Sequence, residues 1–187
     1  MESFFSVVSQ FATLSEESKH DLRSCLKKLV LPKNYKLVKP DTTCNFLFFV
    51  ERGLTRTYYL KDGKEITDWI SDENSFACSI ISFITRQPDR RGIDLLEDSI
   101  LYALHYENLN ALCLKYHSIE SFTRKLVSFG LIQLQQKLDD LHFVNAADRY
   151  RKLLQTNPSF IQRVPLSMIA SYLGITQETL SRIRAKI

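Results

Sequence analysis

The chain has 187 residues, of which 44% are hydrophobic, 25% charged and 11% aromatic, with five Gly and five Pro. This composition excludes collagen-like, low-complexity and disordered classes, because it carries enough apolar surface to offset the entropy of ordering. Net charge is +4, but residues 145–187 hold seven Lys/Arg (Arg149, Arg151, Lys152, Arg163, Arg182, Arg184 and Lys186) against Asp148 and Glu178, while the remainder is close to neutral. The positive excess therefore sits in the last quarter, as a footprint for a polyanion or as a solvated basic tail.

The opening MESFFSVVSQ carries an acid at Glu2 and no basic leader, and no run approaches ~18 apolar residues. The expected address is a bacterial-type cytoplasm, with no membrane partner. Thr13 and Glu16 have capping-box spacing and Leu22, Leu26 and Leu29 recur at i, i+4, i+7, which predicts a first helix over 15–29, ended by Pro32.

From 35 to 70 the pattern is that of strands: FLFFVE, a turn at Arg52-Gly53, LTRTYYL, a turn at Asp62-Gly63, and KEITDWI. Asp-Gly between two β-rich runs is a strong hairpin signal, because both central residues of that turn need positive φ. Residues 71–98 read as a loop-rich segment with one apolar stretch, FACSIISFI, and SILYALHY at 99–106 is a further strand. Antiparallel strands at this spacing suggest a barrel or jelly roll.

Helix returns over 108–116 and again over 118–143. In the longer one Val127, Leu131, Leu134, Leu138 and Leu141 recur at +4, +3, +4, +3, the rhythm of a two-helix seam, while Phe122, Leu126 and Phe129 form a stripe on another face. One stripe can pack on the β-region while the other meets a second copy in a parallel homodimer; alternatively both face one intramolecular core. A helix to about 155, a break at Asn157-Pro158, a short segment to Arg163 and two last helices after Pro165 complete the chain.

Metal and redox chemistry find no pattern: Cys25, Cys44, Cys78 and Cys113 form no C-x-x-C pair, and His20, His105, His117 and His142 are scattered. The cysteines read as buried thiols, and no cofactor or metal is expected.

PLSMIASYLGITQETLSRIRAKI has the anatomy of a helix-turn-helix. Ile169, Ala170 and Leu173 make one inner face, with Ala170 small where a second helix crosses; Gly174 permits the turn, Ile175 plugs it, Thr176 caps the next helix, and Leu180 and Ile183 are buried. The second helix then suits the major groove of double-stranded DNA. Gln pairs with adenine, Glu accepts from cytosine and Arg grips guanine, so Gln177, Glu178 and Arg182 are base-reading candidates. Thr179, Ser181, Arg184 and Lys186 are phosphate candidates. Glu178 could instead orient Arg182 at i+4.

The hairpin FFVERGLTRTYYLKDGKEIT, the turn in LLEDSILYAL, the long seamed helix and the terminal GITQETLSRI together resemble the Crp/Fnr family of bacterial transcription regulators over nearly the whole chain. The resemblance implies an α+β protein: an antiparallel, cyclic-nucleotide-binding-like jelly roll (1–117), a long dimerisation helix (118–144) and a C-terminal helix-turn-helix DNA-binding domain (145–187). It makes Gly53 and Gly63 turn glycines and puts Glu178, Thr179 and Arg182 in the family's R-E-T-x-x-R pattern, with Gln177 for the first Arg. The implied protein is not an enzyme; its partners are DNA, a second copy, a small effector and RNA polymerase.

Cyclic-nucleotide-binding members carry F-G-E-x-A followed by P-R-[ST]-A. Here the matching stretches are Phe76-Ala77-Cys78-Ser79 and Pro88-Asp89-Arg90-Arg91, so the Gly and Glu are missing and Asp89 stands where the Arg belongs. An Asp beside a cyclic phosphate repels it, and cyclic AMP is not expected. Phe76, Ser79, Arg90 and Arg91 remain the candidate pocket, for a different small anion or for no effector. The chain stops at Ile187, where family members usually add a two-stranded wing. The rival readings are a ligand-sensing dimer without DNA binding and a cupin-type metalloenzyme, for which His105 is the lone strand histidine.

Overall fold

A computed structural model describes residues 1–186. The chain runs α1 (Glu2–Phe11), α2 (Glu16–Cys25), β1 (Leu26–Leu31), β2 (Lys36–Val38), β3 (Phe46–Arg52), β4 (Thr55–Lys61), β5 (Lys64–Ser71), β6 (Phe76–Ala77), α3 (Ile80–Thr85), β7 (Arg91–Leu95), β8 (Ser99–His105), α4 (Tyr106–Lys115), α5 (His117–Phe143), α6 (Ala146–Thr156), α7 (Phe160–Arg163), α8 (Leu166–Tyr172) and α9 (Gln177–Arg184).

The strands form two antiparallel four-stranded sheets, ordered β1-β8-β3-β6 and β2-β7-β4-β5, the double-sheet arrangement of a jelly roll. Asp62 (φ 51°) and Gly63 (φ 73°) both adopt the left-handed conformation that the Asp-Gly hairpin requires, and Lys61 pairs with Lys64 across it. At Gly53 (φ 109°) a side chain would collide with Ser99, which fixes glycine there.

Three expectations are corrected. The helix predicted over 15–29 stops at Cys25, and Leu26 and Leu29 lie on β1, paired with Leu104 and Leu101 of β8. Ser15, not Thr13, caps it, its hydroxyl accepting from the Ser18 amide at 3.2 Å. The segment 71–98 is also more ordered than a loop, holding β6, α3 and β7. In addition, Glu2–Phe11 is an amphipathic helix: Phe4 and Val8 enter the core, and Phe4 meets Phe49 edge-on at 5.3 Å.

One apolar cluster joins both sheets to α1, α2, α4 and the start of α5, where Ile119 and Phe122 are buried. A second is shared between Leu54, Ile70 and Leu96 of the roll and Tyr150, Leu153, Phe160, Val164, Ile169, Ala170, Leu173 and Leu180 of α6–α9. The C-terminal helices therefore have no core separate from the roll, since burial of their apolar face depends on the β3–β4 turn, β5 and the β7–β8 turn.

Candidate nucleic-acid interface

The turn between α8 and α9 follows from its residues. Gly174 takes φ 69°, a left-handed conformation that favours glycine, and the turn it makes lies against the end of the Leu141 side chain of α5. The Ile175 amide donates to the Ala170 carbonyl at 3.0 Å, closing α8. Thr176 accepts from the Thr179 amide at 3.2 Å and caps α9. Leu180 is fully buried and Ile183 half-buried on the inner face.

The opposite face of α9 presents Gln177, Glu178, Ser181, Arg182 and Arg184 to solvent, followed by exposed Lys186; Thr179 is half-buried. Arg182 Nη2 donates to Thr179 Oγ1 at 3.3 Å. Glu178 is held below its ordinary range by its own amide, the Thr176 hydroxyl and the charges of Arg182 and Lys64, so it is an anion at the start of this helix.

Other basic residues of the last quarter are engaged within the chain. Arg149 donates to the Leu173 carbonyl at 3.1 Å and to that of Val144 at 2.5 Å, satisfying the ends of α8 and α5. Arg151 pairs with Asp148 and Lys152 with Asp140, each at 2.5 Å. Arg163 reaches Glu73 at 2.7 Å and Glu97 at 2.5 Å, and Glu73 also accepts from the Gly53 amide, so α7 is bound to both turns of the roll beneath it. Arg182, Arg184 and Lys186 remain on the outward side.

Lys137 of α5 lies between the roll and α8. Its ammonium donates to the Asp68 carbonyl and sits over the rings of Tyr172 (4.3 Å) and Trp69 (5.4 Å). Burial lowers its pKa to about 8, with Asp68 opposing and Arg91 adding to the shift. Nearby, the Thr67 amide donates to Ser171 Oγ at 2.9 Å. A cavity of about 180 Å³ lined by Arg56, Glu65, Thr67, Ser167, Met168 and Ser171 lies along this joint.

Sequence patterns did not reveal the ladder across the second sheet. Lys36 (β2), Asp94 (β7), Arg56 (β4) and Glu65 (β5) join in strand order, with Arg56 only 3% exposed and 2.6 Å from both carboxylates. The available signal was a polar residue inside each apolar run, TRTYYL and RGIDLL.

Of the candidate pocket residues, Ser79 and Arg91 meet at one group, the carboxylate of Asp89. Buried Ser79 donates to Asp89 at 2.7 Å and Arg91 approaches it at 3.4 Å, while Arg91 also pairs with Asp68 at 2.7 Å. Phe76 belongs instead to an aromatic cluster with Phe49, Phe4 and Phe122. Arg90 is exposed, over the Tyr59 ring. The hydroxyl and guanidinium that an anion would use thus surround the chain's own carboxylate.

Val127, Leu131, Leu134, Leu138 and Leu141 all lie on the exposed side of α5, while Phe122 is buried, Leu126 half-buried, and Phe129 packs on Phe11 at 5.8 Å. The two stripes therefore have different fates, one packed on the roll and α1 and the other open except at Leu141, which lies against the α8–α9 turn. Among the described residues no three His, Cys, Asp or Glu side chains converge as a metal-binding group, and no helix is long and apolar enough to cross a membrane.

A double-sheet roll, a long helix and a terminal helix-turn-helix define a class of architecture that solved structures share. No protein-family profile and no curated protein matches the sequence. The chain is similar to a protein described as a Crp/Fnr-family transcriptional regulator from Eubacterium rectale, at 18% identity and TM-score 0.73, over 92% of this chain and 83% of that one. It is also similar to FixK2 of Bradyrhizobium japonicum (15% identity, TM-score 0.74, 86% and 83% covered). A third is CLP of Xanthomonas campestris, described as a c-di-GMP-responsive global regulator (16% identity, TM-score 0.71, 92% and 91% covered). The fold of this chain is that of the Crp/Fnr regulators, with a cyclic-nucleotide-binding-like roll.

Proposed function

We propose that the protein is a homodimeric, DNA-binding transcription regulator of the Crp/Fnr type, divided into a roll (1–117), a dimerisation helix (118–144) and a helix-turn-helix domain (145–187). The observation that carries this reading is α9: a capped helix whose inner residue Leu180 is buried while Gln177, Glu178, Ser181, Arg182 and Arg184 face solvent. Gln177, Glu178 and Arg182 read base edges, and Thr179, Ser181, Arg184 and Lys186 hold phosphates. The open stripe Val127–Leu141 supports a two-fold partner along α5, which sets half-sites about 10 base pairs apart.

Cyclic AMP is not the effector, because Asp89 already takes the Ser79 hydroxyl and faces Arg91. The test is selection of bound sequences from random duplexes, followed by fluorescence anisotropy across a salt series. A two-fold-related site is expected, with Arg182→Ala losing sequence preference by about 1–3 kcal/mol at one position. Absence of salt-sensitive binding to any duplex refutes the reading and leaves a ligand-sensing dimer.

A further inference from the structure

We infer that the tip of the β4–β5 hairpin, through Lys61 and Lys64, is a second contact for the sugar–phosphate backbone beside α9; the inference rests on the DNA-binding reading above. Lys61 and Lys64 face each other across a two-residue turn whose central residues, Asp62 and Gly63, are both left-handed. All four residues are exposed. The turn is short and conformationally fixed, so the two ammonium groups leave the roll from one defined point. Like charges directly opposite on paired strands are unfavourable. Among the described residues neither lysine has a carboxylate within ion-pair distance, so an external polyanion relieves the repulsion.

The hairpin is also held against the reading unit. The Thr67 amide donates to Ser171 Oγ, and Glu65, next to Lys64, lines the same cavity as Ser167, Met168 and Ser171 of α8. The strand pair therefore runs alongside α8, and the charge of Lys64 is felt at Glu178 in the first turn of α9. That is the end of the helix that meets base edges in a helix-turn-helix complex. Duplex seated on α9 thus brings its flanking phosphates toward the hairpin tip.

The charge inventory points the same way. With Arg149, Arg151, Lys152 and Arg163 occupied inside the chain, α9 and the residues after it offer Arg182, Arg184 and Lys186. Two lysines on flexible stems suit phosphate as point charges, without the fixed geometry that a guanidinium fork requires.

The test compares the full chain with Lys61→Gln/Lys64→Gln, using the duplex selected by the wild type and a scrambled duplex, by anisotropy from low to high salt. Both substitutions lie on an exposed turn, and unchanged thermal unfolding serves as the folding control. The expected result is an about tenfold or greater loss at low salt, equal on both duplexes, and a salt slope shallower by about 0.9 for each phosphate contact removed in each protomer. Unchanged affinity and slope in the double variant, with the wild type binding normally, overturns the hairpin contact alone. A wild type that shows no salt-sensitive binding overturns the DNA reading and this inference with it.

Discussion

Leu131 gives the sharpest test of whether two copies meet along α5. Its side chain is 66% exposed in the protomer, on the open face of α5. Full burial of a leucine side chain stabilises by roughly 1.5–3 kcal/mol, so covering this one recovers about two-thirds of that, or ~1–2 kcal/mol. In a two-fold seam the residue occurs twice, and Leu131→Ala should weaken association by ~2–4 kcal/mol, a loss of roughly 30- to 1,000-fold in the dimer constant. Sedimentation equilibrium over a dilution series measures this directly. Alanine keeps helix propensity, so unfolding of the isolated protomer should not change. Leu126→Ala, on the stripe packed against the roll, should do the reverse, lowering protomer stability by ~1–2 kcal/mol, as befits a half-buried leucine, with little effect on association. An unchanged dimer constant in Leu131→Ala refutes a seam on this face.

Two further predictions concern the attachment of the C-terminal helices. Arg163→Gln removes the charge between Glu73 and Glu97, and should cost about 2 kcal/mol near neutral pH because its bonds are charge-assisted and partly shielded. At Glu73 burial pushes the pKa up, but Arg163 and the Gly53 amide outweigh it, and the result lies below the ordinary 4.5. Its contribution is present above pH about 4.5 and is lost as pH falls through the depressed value, so the gap between wild type and variant in chemical denaturation should narrow toward pH 3; a constant gap refutes the assignment. Lys137→Met tests the opposite end of the pH scale. Folding lowers this amine from 10.5 to about 8, so the unfolded chain binds the proton more tightly, and wild type should gain stability relative to Met as pH rises from 8 to 10; a flat difference refutes it.

Strand pairing, the long helix and the helix-turn-helix were legible because each has a periodic or turn signature that local chemistry enforces: Asp62-Gly63, the seam rhythm, and Gly174 with Thr176. In the first 31 residues only α2 was, and it ends four residues early. Leu22, Leu26 and Leu29 satisfy a helical period, yet pairing of Leu26–Leu31 with β8 overrides it, because the ladder places Leu26, Leu29 and Leu31 against the core of the roll. The helix Glu2–Phe11 has no capping or turn signature in the sequence, because what holds it is tertiary. Phe4 and Phe11 fill gaps against Phe49, Phe122 and Phe129 that lie far away in sequence.

Formal charge was the least reliable guide to the candidate site. A count over 145–187 treats seven cations as one footprint, but the fold separates them by function. Arg149 satisfies helix-end carbonyls, Arg163 fastens α7 to two turns of the roll, and Arg151 and Lys152 pair locally, whereas Lys61 and Lys64, outside the counted segment, face each other on an exposed hairpin tip with no carboxylate partner among the described residues. The same separation explains Asp89. As a sequence substitution it reads as a lost phosphate ligand, while in the fold it is the acceptor that satisfies buried Ser79 and meets Arg91. An effector that needed those two groups would have to displace a carboxylate already hydrogen-bonded in the interior, leaving it buried and unpaired at a cost of several kcal/mol. Any response of α9 to a small molecule bound in the roll therefore has to enter through contacts other than this pair, and the core that Leu54, Ile70 and Leu96 share with α6–α9 is the packing that joins the roll to those helices.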